Sequence, residues 1–452
     1  MPASRKQMHL NLFLNPAGHH AAAWRHPQAA PDRITDLSYY RSIAKRAEAA
    51  KFDAIFLADS PAIEDCRFSA RIRLEPLTWL AALAGATEKI GLIGTATTTY
   101  SEPYNIARQF ATLDHLSGGR AGWNIVTTWA LDAARNYGLE EHPCYASRYE
   151  RANEFTEVVS KLWDSWEDDA VIADRDTGRY ADTDKIHDIA HVGQTFKVRG
   201  PLTMPRSPQG RPVFVQAGAS GDGRAFAARF AEMIFAPSDT FKVAREFYRD
   251  IRAQAVALGR SPDQITILPG ICPYIGSTEA EARRAQEEMN ALISPRYWLD
   301  MFRGFLGVDL DAYDLDDRVP LDLIPRDGER GLKSRFQSTI ALIERERLTI
   351  RQLMDHFSGA LGHWVPVGTP DQIVDQMQFW FENGACDGFN IMPPYLTGGF
   401  DPIVNEIIPI LRRRGLFRTD YTGRTLREHL GLDRPRSQFE ASQATAGSVE
   451  TV

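Results

Sequence analysis

The 452-residue chain is long enough for one large α/β barrel or two ordinary domains, and 43% hydrophobic with 25% charged residues reads as a soluble globular protein. A net charge of -7 argues against a nucleic-acid scaffold or a binder of anionic membranes, and no apolar run of about 18 residues predicts a membrane span. Four scattered cysteines (Cys66, Cys144, Cys272, Cys386) form no CxxC, and "MPASRKQMHLNLFL" has no signal-peptide core, so a reducing cytoplasm is the expected location.

Strand-like and helix-like segments alternate from the start. Met8 to Leu14 reads as a strand and Ser38 to Lys51 as an amphipathic helix. A short apolar strand follows at Ala54 to Leu57, then a helix at Thr78 to Ala86 and a strand at Ile90 to Thr95. The helix Asn105 to Leu116 stops at "SGG", where glycine can take a left-handed cap. A strand at Arg120 to Thr127 precedes a helix at Arg148 to Trp163. Further strands are expected at Val213 to Ala217, Met233 to Ala236, Ile265 to Tyr274 and Gly388 to Met392. Helices are expected at Arg224 to Ala231, Phe241 to Ala257 and Pro402 to Arg414. Eight short apolar strands alternating with helices predict a parallel sheet closed into a (β/α)₈ TIM barrel. The surplus length falls in two insertions, near 164–212 and 277–387, on a single domain spanning 1–432, and the Ser-, Ala- and Thr-rich residues 433–452 read as a disordered tail.

In a barrel, side chains at the C-terminal strand ends face the site. Asp59, Thr95, Thr97, Asn124 and the turn Ala219-Ser220-Gly221 stand there. They offer acceptors, hydroxyls and backbone N–H groups, a mixture suited to a heteroaromatic ring bearing a ribityl phosphate. Ser220-Gly221 opens a helix, where free N–H groups and the helix dipole favour an anion, and Tyr145, Arg148 and Tyr149 open another. The competing reading makes Asp59 a helix cap, the threonines a β-rich strand end and the glycines turn formers.

Other motifs point nowhere strongly. His187 and His191 have the i, i+4 spacing of a helical metal pair but lack the HExxH glutamate and a third ligand, so no metal is expected. The Asp-rich stretch 309–317 lacks the central Gly and the bidentate Glu of a calcium loop and reads as a solvated loop. No GxGxxG, Walker A or GxSxG sequence is present.

The segments "AWRHP", "KFDAIFLADS", "LEPLTWLAALAGATEKIGLIGTATTTYSEPYNIARQFATLDHLSGGRAGWNIVTTW", "ARNYG", "RYERANEF", "HVGQTFKVRGPLTMPRSPQGRPVFVQAGAS" and "GFNIMPPYL" resemble the nitrilotriacetate monooxygenase component A family, the group that includes dibenzothiophene sulfone monooxygenase. The resemblance runs from Met8 to about Leu432. It implies a barrel of the bacterial-luciferase type and an FMN-dependent monooxygenase. Reduced FMN would be delivered by a separate NAD(P)H:flavin reductase and used with dioxygen to oxygenate and cleave a small substrate at a C–N or C–S bond, a nitrilotriacetate-like aminopolycarboxylate being the first expectation. FMN contacts carry over to Asp59, Thr95 or Thr97, Tyr145, Tyr149 and Ser220. Many relatives have His in place of Tyr145; a Tyr donates a hydrogen bond but does not accept a proton near neutral pH, so no catalytic residue is assigned. Arg67, Arg71 and Arg73 in "CRFSARIRLEP" could hold substrate carboxylates or form a solvated basic loop. The 277–387 segment would act as a lid that keeps the reaction dry. The expected partners are the reductase and further copies of the chain, as dimer or tetramer. The rival readings are a deazaflavin-dependent oxidoreductase of the same fold and a non-catalytic flavin-binding protein.

Overall fold

The computed structural model describes residues 6–63, 66–128, 130, 132–325 and 333–439. Eight parallel strands close a barrel: β1 (His9–Phe13), β2 (Ala54–Leu57), β3 (Gly91–Thr97), β4 (Ala121–Val126), β5 (Val213–Gln216), β6 (Met233–Ala236), β7 (Thr266–Ile271) and β8 (Gly388–Ile391). Each pairs with its neighbours in chain order and β8 returns to β1, with Leu10 opposite Phe389. All eight are the strands expected from the sequence. Nearly every strand residue is buried, because helices cover the outside and side chains fill the lumen. Phe56, Ile93, Val215, Met233, Phe235 and Leu268 pack in one cluster with Leu426, Leu430 and Leu432 of the C-terminal segment. The short helix Leu426–His429, which the sequence reading missed, therefore helps to fill the barrel.

Two helices start two residues before expectation for one local reason. Pro76 and Pro103 each occupy the first turn of their helices, Pro76–Ala84 and Pro103–Ser117, where a missing N–H costs nothing. The second ends at Gly118 with φ 70°, the left-handed cap anticipated at "SGG". The strand expected through Tyr274 stops at Ile271: after Cys272 and Pro273, Tyr274–Ile275 pairs with Val367–Gly368 in a separate two-stranded ribbon.

The 164–212 stretch links helix Tyr145–Asp164 to β5, and a long excursion between β7 and β8 carries four helices through Ile350–Ala360 before Trp364 bridges back to Ile271. Within it, Trp298, Phe302, Leu353 and Phe357 belong to a hydrophobic cluster of their own. His187 and His191 do not share a helix. His187 Nε2 lies 2.9 Å from Glu167 and His191 Nε2 lies 3.1 Å from Glu154. Asp309, Asp311 and Asp316 pair with Arg296, Arg303 and Arg351 rather than with solvent alone. Part of the expected tail is held in place: Arg434 pairs with Asp168 and Ser437 is buried, its hydroxyl donating to the Asp164 carbonyl at 3.1 Å. Residues 440–452 lie outside the described residues.

Candidate active site

The strand ends do converge. Helix Tyr145–Asp164 starts three residues before the sequence reading placed it, with Cys144 as its N-cap. Tyr145 and Tyr149, four residues apart, consequently stand one above the other, their ring centroids 5.1 Å apart. Across from them, Ser220 caps helix Gly221–Phe230 by accepting from the Gly223 N–H at 3.2 Å. The Tyr145 and Ser220 hydroxyls are hydrogen-bonded to each other. The Tyr149 hydroxyl completes the group, and burial raises its pKa to about 12, so it remains a donor. Its oxygen would sit 3.2 Å from a Cβ at Gly218 and 3.0 Å from one at Gly223. Only glycine lets the phenol approach this turn so closely. Donors from two separate helix starts thus meet at the N-terminus of helix Gly221–Phe230, an environment that suits an anionic group.

Arg148 anchors the start of helix Tyr145–Asp164. Its Nη1 donates to the carbonyls of Thr127, at 3.1 Å, and Thr128, and its guanidinium lies 5.5 Å from the Tyr145 ring. It clips the helix start to the end of β4 while leaving a positive charge near the hydroxyl cluster. His142, in the same connection, was not picked out from the sequence. Its Nε2 lies 3.2 Å from the Thr128 carbonyl, an acceptor, so Nε2 carries the proton and Nδ1 accepts from the Tyr100 hydroxyl. Burial lowers its pKa, which keeps the ring neutral.

Thr95, Thr97 and Asn124 form the inner wall. The Thr95 hydroxyl donates to the Leu57 carbonyl at 2.8 Å, and Asn124 Nδ2 donates to the Thr95 hydroxyl at 2.7 Å. Thr97 accepts from the Thr128 hydroxyl at 2.6 Å. Asp59 follows β2, half-buried, and its pKa is raised mainly by burial, with Glu75 adding to the shift and the Ser60 N–H and Arg73 opposing it. Beside these polar groups lies an aromatic cluster. Phe13 meets Phe56 and Phe235 at 5.1 and 5.3 Å, and the His363 ring stacks on Phe235 at 4.9 Å. His363 enters from the excursion between β7 and β8 and occupies the space a Cβ at Gly270 would need. His19, after β1, donates from Nε2 to the Phe13 carbonyl at 2.8 Å, and burial lowers its pKa to about 4.

The three arginines divide. Arg67 pairs with Asp300 at 3.1 Å and is largely exposed; Arg71 donates to the hydroxyl of the buried Tyr297. Both therefore tie the loop after β2 to helix Pro295–Leu306. Arg73 is the member whose charge is felt by Asp59 and His19 at the barrel mouth. Among the described residues no group of three or more His, Cys, Asp or Glu side chains is placed to hold a metal ion, and no helix is long and apolar enough to cross a membrane.

Residues 13–386 match the model of the luciferase-like monooxygenases. The chain belongs to that family. It is 48% identical to N-acetyl-S-(2-succino)cysteine monooxygenase of Bacillus subtilis (strain 168), over 97% of this chain and 100% of that protein. It is 47% identical to nitrilotriacetate monooxygenase component A of Aminobacter aminovorans, over 96% of this chain and 98% of that protein. A crystal structure of riboflavin lyase with modified FMN and riboflavin superposes with a TM-score of 0.84 at 34% identity, covering 95% of this chain and 97% of that one. The chain is accordingly an oxidoreductase, a flavin-using monooxygenase of the luciferase-like class, and the resemblance read from its sequence holds.

Proposed function

We propose that this monooxygenase takes reduced FMN as a co-substrate from a separate NAD(P)H:flavin reductase and oxygenates a carbon next to sulfur or nitrogen in a small, carboxylate-bearing substrate. The observation that carries the cofactor assignment is the convergence of the Gly223 N–H and the Tyr145 and Tyr149 hydroxyls on Ser220. It suits one phosphate, and the chain has no dinucleotide fingerprint to hold a second nucleotide. The residues present fit the group: a helix N-terminus for the phosphate, a half-buried carboxyl at Asp59 and an aromatic cluster at Phe13, Phe56 and Phe235 beside the ring position. When bound, reduced FMN supplies the electrons that activate dioxygen.

The chain's own residues orient, shield and select. Tyr145 and Tyr149 anchor one end of the cofactor, and Arg148 fixes the helix that carries them. Thr95, Thr97 and Asn124 line the inner wall, where the polar edge of the ring would lie. Phe235 and His363 close the mouth from the side of the excursion, which limits water at the reacting atoms. Arg73 sits where a substrate carboxylate would meet a cation beside the ring. The carboxylate-rich substrates named for the two relatives at 47–48% identity support this class. The test is a titration of the isolated protein with reduced FMN, FAD and NADH. Tighter binding of reduced FMN is expected, and a preference for FAD would overturn the site assignment.

A further inference from the structure

We propose that Asn124 reads the redox state of the flavin: its Oδ1 accepts a hydrogen bond from the N5–H of reduced FMN, a donor that the oxidised ring lacks. The inference rests on the FMN reading above and adds to it the residue that discriminates between the two forms of the co-substrate.

The argument begins with one proton. The Thr95 hydroxyl lies 2.8 Å from the Leu57 carbonyl, which can only accept, so the single hydroxyl hydrogen points there. The Thr95 oxygen must then accept from its other neighbour, the Asn124 amide at 2.7 Å. That neighbour is therefore Nδ2, and the amide cannot turn over without setting two acceptors against each other. The relay Asn124 to Thr95 to Leu57 crosses the ends of β4, β3 and β2 and fixes Oδ1 as an acceptor. Asn124 is buried, at 3% exposed, and among the described residues Oδ1 has no hydrogen-bond partner. A buried acceptor without a donor costs about 1–3 kcal/mol, so a chain that builds a relay to hold one in place has a use for it.

The register sets the direction. Asn124 pairs with Thr95 on one side and Val215 on the other, and Val215 packs in the cluster that fills the lumen. The amide is thus on the inner side of the wall, in the C-terminal half of β4, on the strand between those that lead to Ser220 and to Asp59. A flavin with its phosphate at Ser220 would bring its ring across this wall. Oxidised N5 is an acceptor, and reduced N5 carries a hydrogen. A fixed acceptor opposite N5 therefore repels one form and binds the other, so the discrimination has both an attractive and a repulsive part. A protein that must capture reduced flavin released by another protein gains from rejecting the oxidised product.

The test uses the full chain with FMN alone, under anaerobic and aerobic conditions. Dissociation constants for reduced and oxidised FMN are measured for wild type and for Asn124→Leu, Thr95→Val and Thr95→Ser. The ¹⁵N shift of N5 in labelled reduced FMN is recorded for each variant. Asn124→Leu is expected to weaken reduced FMN about tenfold or more, with oxidised FMN unchanged or tighter, and to move the N5 resonance. Thr95→Val, which frees the amide to turn, is expected to shrink the preference for the reduced form, and Thr95→Ser to restore it. Equal weakening of both forms would move Asn124 to a redox-independent atom such as N3–H and overturn the proposal. Unchanged affinities with an unmoved N5 resonance would mean that another donor satisfies Oδ1 and would overturn it too. Wild type that binds no reduced FMN contradicts the cofactor reading instead.

Discussion

Ser220 holds several hydrogen bonds at once, so it is the residue at which a single substitution says most about the phosphate. Ser220→Asp places a carboxylate at a helix N-terminus that already suits an anion. The cap is kept, because aspartate caps as well as serine. FMN affinity should fall at least tenfold with little change in melting temperature; retained affinity would put the phosphate elsewhere. Tyr149→Phe removes one hydrogen bond at the same point. A loss of about 0.5–1.5 kcal/mol in FMN binding is expected by calorimetry, because the ring still packs against Tyr145 and Phe226. The Tyr residues and Ser220 were legible in the sequence because each stands at a helix start after a strand. His142 and His363 were not, because their meaning lies in Tyr100, Thr128 and Phe235, which are distant in the chain.

Away from the site, Asp114 gives a pH prediction. Its carboxyl is fully buried, and burial outweighs the hydrogen bonds from the Ala121 N–H and Gln209, raising its pKa from 3.8 to about 6. A raised carboxyl pKa means that the folded state holds its proton more tightly. Its stability contribution is therefore present at low pH and lost as pH rises from about 4 to 6. Asp114→Asn keeps an oxygen for the Ala121 N–H and removes the charge. It should gain about 1–3 kcal/mol at pH 7.5 and nothing at pH 4, measured by denaturant melts at both. Equal effects at both values would mean that Asp114 does not titrate in this range.

At the scale of elements, helix Pro295–Leu306 and the loop after β2 act as a pair. Arg67 to Asp300 and Arg71 to Tyr297 fasten one to the other, so these two of the three arginines that the sequence offered for substrate tie elements of the fold together. Spacing alone placed three guanidinium groups together; the fold distinguishes Arg73 as the one whose charge reaches Asp59 and His19. Arg73→Gln should raise KM for a carboxylate substrate about tenfold or more with FMN affinity unchanged, by losing a charged hydrogen bond. Arg71→Gln should instead lower the product formed per oxygen consumed, because a looser helix admits water. If the two variants behave alike in both assays, the division of roles is wrong.

For the molecule as a whole, the barrel was legible because buried parallel strands are short, mostly apolar runs, and eight of them alternate with helices. The helix Leu426–His429 was not, since four residues give no period, and its place against the barrel interior is visible only in three dimensions. The long excursion between β7 and β8 was seen as surplus length, but not that Trp364 returns to pair at the end of β7 and carries His363 to the mouth. That return joins the excursion to the barrel end, where His363 stacks on Phe235. The most direct measurement is a single turnover with photoreduced FMN, ¹⁸O₂ and a panel of carboxylate-bearing thioethers and amines, with products read by mass spectrometry. One ¹⁸O atom in a product cleaved at the C–S or C–N bond of at least one member is the predicted result. Hydrogen peroxide as the sole oxygen-derived product across the panel, or turnover confined to neutral substrates, would contradict it.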